Sequence, residues 1–417
     1  MDVEELRGLR RRLGAFVSRF DDCIKTAPSR DHMRTYVGGQ VSDLERKNVA
    51  AIALDAGVPP RSLQEFLAIH RWDEGRVVDR VQTIVVGGHA DPNAMGVVDE
   101  TGFGKQGEKT AGVQRQYCGA TGKVDNCVVT VHLGYVAGGF HALLDSDVYL
   151  PEAWLADRGR CREAGIPDEV VYRPKWRIAL DLLRHALENG VPLRYLTADE
   201  AYGRCGAFRQ EAGALGVVYV VEVPCALTGW TRRPRVVEPR AGSRGVGRPR
   251  TRPALAAGTP PVRRVDRLWK RGGPSWKAFH VKNTHKGPVV WEARTTRFSP
   301  WAKGGVPGDE VWLVVARNVL DGEVKYFLSN APADTPVDRL LHVAFSRDAI
   351  EKLFEESKGE VGLDHFEVRR YRAVKRHLVL SMVSLLFLAE ETERLRGEKP
   401  GVEPVPGPSR HRSATGP

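Results

Sequence analysis

Apolar and polar residues follow two rhythms along this chain, and one gives way to the other near residue 80. Before that point, Leu6 to Phe20, Val41 to Leu54 and Ser62 to His70 carry apolar residues three and four apart, the spacing of a helix with one buried face. Gly57-Val-Pro-Pro-Arg-Ser62 breaks the pattern, and Ser62 is a residue type that caps a following helix. Leu63 to His70 therefore reads as the second helix of a helix-turn-helix-like pair, which either enters DNA or packs in a bundle.

From about Val81, short apolar runs alternate with helical spacing. Met95 to Asp99 predicts a short buried strand, Cys127 to Tyr135 a second, and Phe140 to Leu150 a third that alternates. Pro174 to Asn189 predicts a helix with Gly190 just past its end, followed by a strand at Leu193 to Asp199, a helix at Phe208 to Ala214 and a strand at Val217 to Val223. Strands and helices in this order give the α/β class, a mixed sheet with flanking helices.

Residues 224–309 differ. Arg, Pro and Gly crowd the stretch Arg232 to Arg267, a composition that resists packing and predicts a mobile basic loop within a β-rich insertion. Strands resume at Glu310 to Arg317 and Val324 to Ser329, and a long helix follows from about Pro336 to Val361. The expected organisation is a helical N-terminal part at 1–80 that either binds DNA or packs as a bundle, a sheet-and-helix part at 81–223 and again at 310–392 with the segment 224–309 between them, and a disordered tail at 393–417.

Sixty-three Lys and Arg against fifty-two Asp and Glu leave a formal charge of +11, which favours a polyanionic partner. The longest apolar run, Leu378 to Ala389, is too short for a bilayer and reads as a core helix, so no membrane is expected. The charged start, Met-Asp-Val-Glu-Glu-Leu-Arg, has no signal-peptide h-region, and a cytoplasmic protein is the expectation. Six scattered cysteines without a Cys-x-x-Cys pair read as reduced, and neither a zinc-protease nor a P-loop pattern is present.

Three acids offer chemistry. Asp99 follows the run Met95-Gly-Val-Val and Asp199 ends the run from Val191, so each is placed where a buried strand meets solvent. Carboxylates so exposed at strand ends can converge on hard divalent cations, which prefer oxygen ligands and activate water against phosphodiesters. Glu351 lies in a helical stretch with Arg347 four residues before it on the same side, and Lys358 two turns beyond. One helix thus presents an acid between two cations that can grip phosphates, although an exposed salt-bridged face gives the same pattern. In Gly247-Arg-Pro-Arg250, Arg248 and Arg250 are of the kind that enters a narrow minor groove; a solvated linker reads the same way.

Longer words run through the chain in order. They are Val98-Asp-Glu-Thr-Gly-Phe103, Gly112-Val-Gln-Arg-Gln-Tyr117, Lys123-Val-Asp-Asn-Cys127, Leu150-Pro-Glu-Ala-Trp154, Thr197-Ala-Asp-Glu200 and Lys358-Gly-Glu-Val-Gly-Leu-Asp-His365. Over roughly Val41 to Ala389 this series resembles the IS701 family of bacterial insertion-sequence transposases, relatives of the IS4 group. The resemblance implies a ribonuclease-H-like core in which Asp99, Asp199 and Glu351 hold two Mg²⁺ ions, with Mn²⁺ able to substitute. Glu351 matches through an IS4-type pattern of Tyr, Arg, Glu and Lys, met here by Arg347, Glu351 and Lys358. The tyrosine is not matched: Ala344 stands in its place beside Phe345, and Asp348 stands where a tryptophan is usual. The resemblance also implies a tryptophan in the insertion that stacks on a flipped base; Trp276 and Trp291 are the candidates, core packing being the other reading of each.

The function so implied is cleavage at the terminal inverted repeats of a mobile element, then attack of the freed 3′ hydroxyl on target DNA, by a homodimer on double-stranded DNA. Its rivals are a decayed transposase that only binds DNA and a host nuclease of the same core.

Overall fold

A computed structural model describes residues 3–239, 251–269, 272–284 and 287–398. Five helices come first: α1 (Val3–Ser18), α2 (Ala27–Gln40), α3 (Val49–Asp55), α4 (Pro60–Ala68) and α5 (Glu74–His89). α4 begins at Pro60, whose fixed φ and missing N–H suit a first helical position, so Ser62 lies inside the helix and is not its cap. The single helix expected at 41–54 is likewise replaced: α2 closes at Gln40, and α3 starts at Val49 with Asn48 Oδ1 accepting from the Ala51 amide at 2.8 Å. α4 buries Leu63, Phe66 and Leu67, and its final carbonyls are met by the buried guanidinium of Arg376, which also donates to the His70 carbonyl.

The sheet follows. β1 (Met95–Gly104), β2 (Gln114–Cys118), β3 (Lys123–Ala137) and β4 (Phe140–Tyr149) pair antiparallel, with β1 and β4 flanking β3. Short α6 (Glu152–Ala156) and α7 (Arg158–Ala164) lead to α8 (Lys175–Glu188), which stops before Gly190 at φ 79° as the pattern predicts. β5 (Tyr195–Ala198), α9 (Glu200–Gly203), α10 (Gly206–Ala214) and β6 (Val218–Glu222) complete the core strands. β5 runs parallel to β1 on one side and to β6 on the other. The order β4-β3-β1-β5-β6 is the expected ribonuclease-H-like arrangement of three antiparallel strands followed by two parallel ones.

One strand departs from its prediction. β1 does not end at Asp99 but continues to Gly104, because Glu100 to Gly104 go on pairing with β3 as far as Cys127. Only its parallel partnership with β5 stops at Val98.

Beyond β6 come β7 (Thr228–Trp230), β8 (Val236–Val237), β9 (Ala254–Leu255), β10 (Arg263–Arg264), β11 (Lys277–Thr284), β12 (Gly287–Pro300), β13 (Val311–Asn318) and β14 (Val324–Ser329). β14 pairs with β6, β13 with β14, and β12 with β13, so the segment set apart by composition continues the core sheet, twelve-stranded among the described residues. The chain closes with α11 (Val337–Phe345), α12 (Asp348–Gly359) and α13 (Tyr371–Glu398). The long helix expected at 336–361 is thus two, separated at Ser346 and Arg347. There the Ser346 hydroxyl bonds back to the His342 carbonyl at 2.7 Å, a side-chain bond that competes with regular helix.

α13 is the buried helix foreseen from its apolar run, with Leu378, Leu380, Val383, Leu386 and Phe387 in the core. It extends to Glu398, past the residue where the tail was expected to start. Residues 399–417, like Arg248 and Arg250, lie outside the described residues. All six cysteines are free, and no helix among the described residues is long and apolar enough to cross a membrane.

Candidate active site

Strand register sets the site. Val98 of β1 stands opposite Ala198 of β5, and Ala198 opposite Val221 of β6. Asp99, Asp199 and Glu222 are the next residues along, each directly after a paired residue of three neighbouring parallel strands, which lie about 4.8 Å apart. Asp199 leaves the sheet at once: it caps α9, its Oδ1 accepting from the Ala201 and Tyr202 amides at 2.9 and 3.3 Å. α9 lies so close to β6 that a Cβ on Gly203 would come within 1.8 Å of the Glu222 carbonyl oxygen, an approach only glycine permits.

α12 supplies the cations. Ile350, Leu353, Phe354 and Ser357 form its buried stripe, and it sits over Gly134 of β3, where a Cβ would meet Ile350 Cδ1 at 2.9 Å and Leu353 Cδ1 at 3.0 Å. Arg347, at the start of α12, places Nη1 3.2 Å from Asp99 Oδ2 and Nη2 2.9 Å from Glu351 Oε1. The Asp99 and Arg347 side chains are 14% and 21% exposed, whereas that of Glu351 is 58% exposed. Glu351 therefore joins Asp99 through Arg347.

The electrostatics follow from this crowding. Burial, and after it the charge of Asp199, push the Asp99 carboxyl up to about 7, against the Glu100 amide and Arg347. Burial likewise raises Glu222 above the usual carboxylate range, although Lys325 stands 3.6 Å away. Burial opposes the Arg347 charge, but Asp99, Glu351, Glu222 and Asp199 outweigh it and raise its pKa. Arg347 is thus the common counter-charge of four carboxylates.

These oxygens are hard donors with too little positive charge among them, a set that suits a divalent cation. They do not yet form a cage: among the described residues, no three His, Cys, Asp or Glu side chains are spaced to hold a metal ion. Arg347 occupies the place on Asp99 that a cation would need.

Lys358 stands away from this cluster. Its ammonium lies 5.9 Å from the Phe103 ring, four residues and so about 13 Å along β1 from Asp99, and burial lowers its pKa. Opposite Asp99 on β3, His132 is fully buried, bonded through Nε2 to Thr130 Oγ1 at 2.6 Å, with Nδ1 unpartnered and burial pulling its pKa down to about 3.

The other expected site residues fare differently. Trp291 is buried with its ring 4.4 Å from that of Phe345, which closes it to a base. Trp276 packs beside Arg294 and Arg317, at 4.2 and 4.4 Å; Arg294 is three residues from Trp291 on β12 and so on the opposite face of the sheet. Neither tryptophan meets the acids, because β12, which carries Trp291 and the Arg294 beside Trp276, stands three strands away from β6 in the sheet, an order no local pattern reveals. Ala344, in place of the pattern's tyrosine, is buried and brings no hydroxyl. Glu222 is the residue the sequence reading missed. Its signal was the one that marked Asp199, an acid closing an apolar run.

Comparison with known proteins gives the family. A family described as DDE superfamily endonuclease matches residues 19–288, which include Asp99, Asp199 and Glu222 and stop short of Glu351. The probable transposase for insertion sequence element IS701 of Microchaete diplosiphon is 33% identical over 188 residues, 44% of this chain and 46% of that protein. The similarity spans about half the length of that relative.

Proposed function

We propose, from the premise that this chain belongs to the DDE superfamily endonucleases, that it is a transposase which binds the inverted repeats of its own element, cuts there and joins the freed ends to target DNA. One observation carries the reading: Asp99 and Asp199 follow paired residues of parallel β1 and β5, and Arg347, just before α12, bridges Asp99 to Glu351. On this reading Asp99, Asp199 and Glu351 would hold two Mg²⁺ ions, or Mn²⁺, which would supply Lewis acidity for hydrolysis and for transesterification.

The protein's own part is orientation and charge. The α9 amides hold the Asp199 carboxylate, and the buried Asp99 is drawn towards ionisation by the Glu100 amide and Arg347. Arg347 is the group that would have to leave Asp99 for that carboxylate to ligate a cation, and its guanidinium would then be free to grip a phosphate of the cut strand. Glu222, behind Asp99 and Glu351, is a further carboxylate whose charge acts on that guanidinium. Lys358 of α12, beside Phe103 further along β1, meets the strand beyond the scissile position. The N-terminal helices bind the element ends, and pairing two ends calls for a homodimer on DNA.

A second reading, a chain that occupies element ends without cutting them, draws on Ala344, which leaves the pattern's tyrosine hydroxyl unreplaced. A nicking assay separates the two. The active enzyme nicks an end-bearing duplex with Mg²⁺ or Mn²⁺ and loses this on Asp99→Ala, Asp199→Ala or Glu351→Ala. Salt-sensitive binding with no cut under either metal means the active reading is wrong.

A further inference from the structure

The word Gly112-Val-Gln-Arg-Gln-Tyr117 has no part in the chemistry above, yet it builds one wall of a charged cleft. Gly112, at φ 81°, turns the loop 105–113 where a Cβ would press within 2.9 Å of the Tyr149 carbonyl. The Ala111 amide then ties the loop to the Arg369 carbonyl at 2.9 Å. Between this loop, β2, α7 and residues 364–370 open two adjoining clefts of about 800 and 650 Å³ that share Glu108, Lys109 and Arg369.

Seven Lys and Arg line them against four acids, Glu108, Glu163, Asp364 and Glu367. Lys109, Arg115, Arg369 and Arg370 are all exposed, and none has an ion pair with any acid among the described residues. Arg160 is fixed as part of the wall: its guanidinium lies 3.7 Å from the Trp154 ring and donates to the Glu108 and Val113 carbonyls. Lys105, packed 3.4 Å from the Phe366 ring, donates to the Phe366 carbonyl at 2.6 Å, and burial, against Asp364 and Glu367, pulls its ammonium down to about 8. At the hairpin tip Tyr117 is 61% exposed, two residues from Arg115 and so on the same face, and opposite exposed Val124.

The cleft lies in line with the acids. β1 runs unbroken from Asp99 through Phe103, where Lys358 stands, to Gly104 at the cleft mouth. Five strand residues span about 17 Å, the length of about five base pairs of duplex at 3.4 Å per phosphate. We propose that this cleft holds the backbone of duplex DNA about five base pairs from the strand position cut at Asp99, with Lys109, Arg115, Arg369 and Arg370 on phosphates and Tyr117 against the groove edge. The inference rests on the transposase reading and deepens it by naming the surface that takes the duplex. Unpaired cations favour a polyanion over a second copy of this chain, whose own surface is also basic.

The test compares two double variants of the full chain, Lys109→Ala with Arg115→Ala and Arg369→Ala with Arg370→Ala. Fluorescence anisotropy follows an end-bearing duplex across a salt series. Each pair should lower the slope of log affinity against log salt by about 1.8, at about 0.9 per lost phosphate contact, and weaken binding about tenfold or more at physiological salt. Arg369→Lys with Arg370→Lys should keep the slope, and Asp99→Ala should keep it while losing the cut. Unchanged slopes in both alanine pairs, with nicking intact, overturn the cleft and leave the transposase reading standing. So does a change of oligomeric state in sedimentation with the slope unchanged. A wild-type chain that binds no duplex brings down both.

Discussion

Arg347→Gln should improve metal binding and impair cutting, two effects of opposite sign from one side chain. The guanidinium stands 3.2 Å from Asp99 in a site where both partners are mostly buried. At an effective dielectric constant of about 20 their gross attraction is about 5 kcal/mol, most of which desolvation returns. A charge-assisted hydrogen bond of this kind contributes about 1.5–3 kcal/mol net. A cation binding to Asp99 must displace that contact, so removing it should tighten Mn²⁺ binding to the DNA-free protein by about ten- to a hundredfold.

The sign depends on pH. Without Arg347 the Asp99 carboxyl, already at about 7, loses a neighbour that favours its ionised form and rises further. Protons then compete with the metal near neutrality. The measurement is therefore titration calorimetry with Mn²⁺ under nitrogen at about pH 8.5, with Asp99→Asn as the variant that lacks the ligand. Nicking of an end-bearing duplex is followed in parallel and should fall, because the phosphate grip has gone. Mn²⁺ binding by Arg347→Gln that is equal to or weaker than wild type at that pH refutes the idea that the arginine guards Asp99.

Other perturbations test the framework. Gly203→Ala puts a methyl carbon 1.8 Å from the Glu222 carbonyl, which as backbone cannot yield; we expect a loss of about 1–3 kcal/mol in denaturant melts and a fall in nicking of about a hundredfold as Asp199 shifts, and a variant as stable and active as wild type contradicts the packing. Gly134→Val should lift α12 from β3, at about 1–3 kcal/mol in the same melts, and depress nicking more than stability; equal losses of both argue against α12 as the positioning element. His185 bonds to Asp145 at 2.7 Å and Asp79 at 2.8 Å, and the Asp145 bond leads in raising its pKa to about 9. Its folded pKa exceeds the unfolded value, so this stabilisation is complete below about pH 6.5 and is lost as pH rises through about 9. Burial raises Asp145 even with His185 beside it and the histidine is a third exposed, so the contribution is only about 1 kcal/mol, and thermal melts from pH 6 to 9.5 should show it vanish in His185→Gln.

Much of this protein can be read from its order of residues. Helix α8 with Gly190 at its end, strand β14, and the buried helix around Leu378 to Ala389 follow from periodicity, since each depends on neighbours three, four or two residues away. The acids closing apolar runs, and the ordered words around them, marked Asp99 and Asp199 and the family. Segment ends were less legible: Ser346 splits one expected helix into two, and β1 outlasts its apolar start because β3 is there to pair with it. The tertiary structure alone decided which strands stand side by side and on which rung. A period of two tells a residue's face but not its neighbour. Hence Glu222 beside Asp199, Arg347 between Asp99 and Glu351, and Trp276 and Trp291 on opposite faces were settled by contacts between residues up to 248 positions apart, which no local pattern encodes.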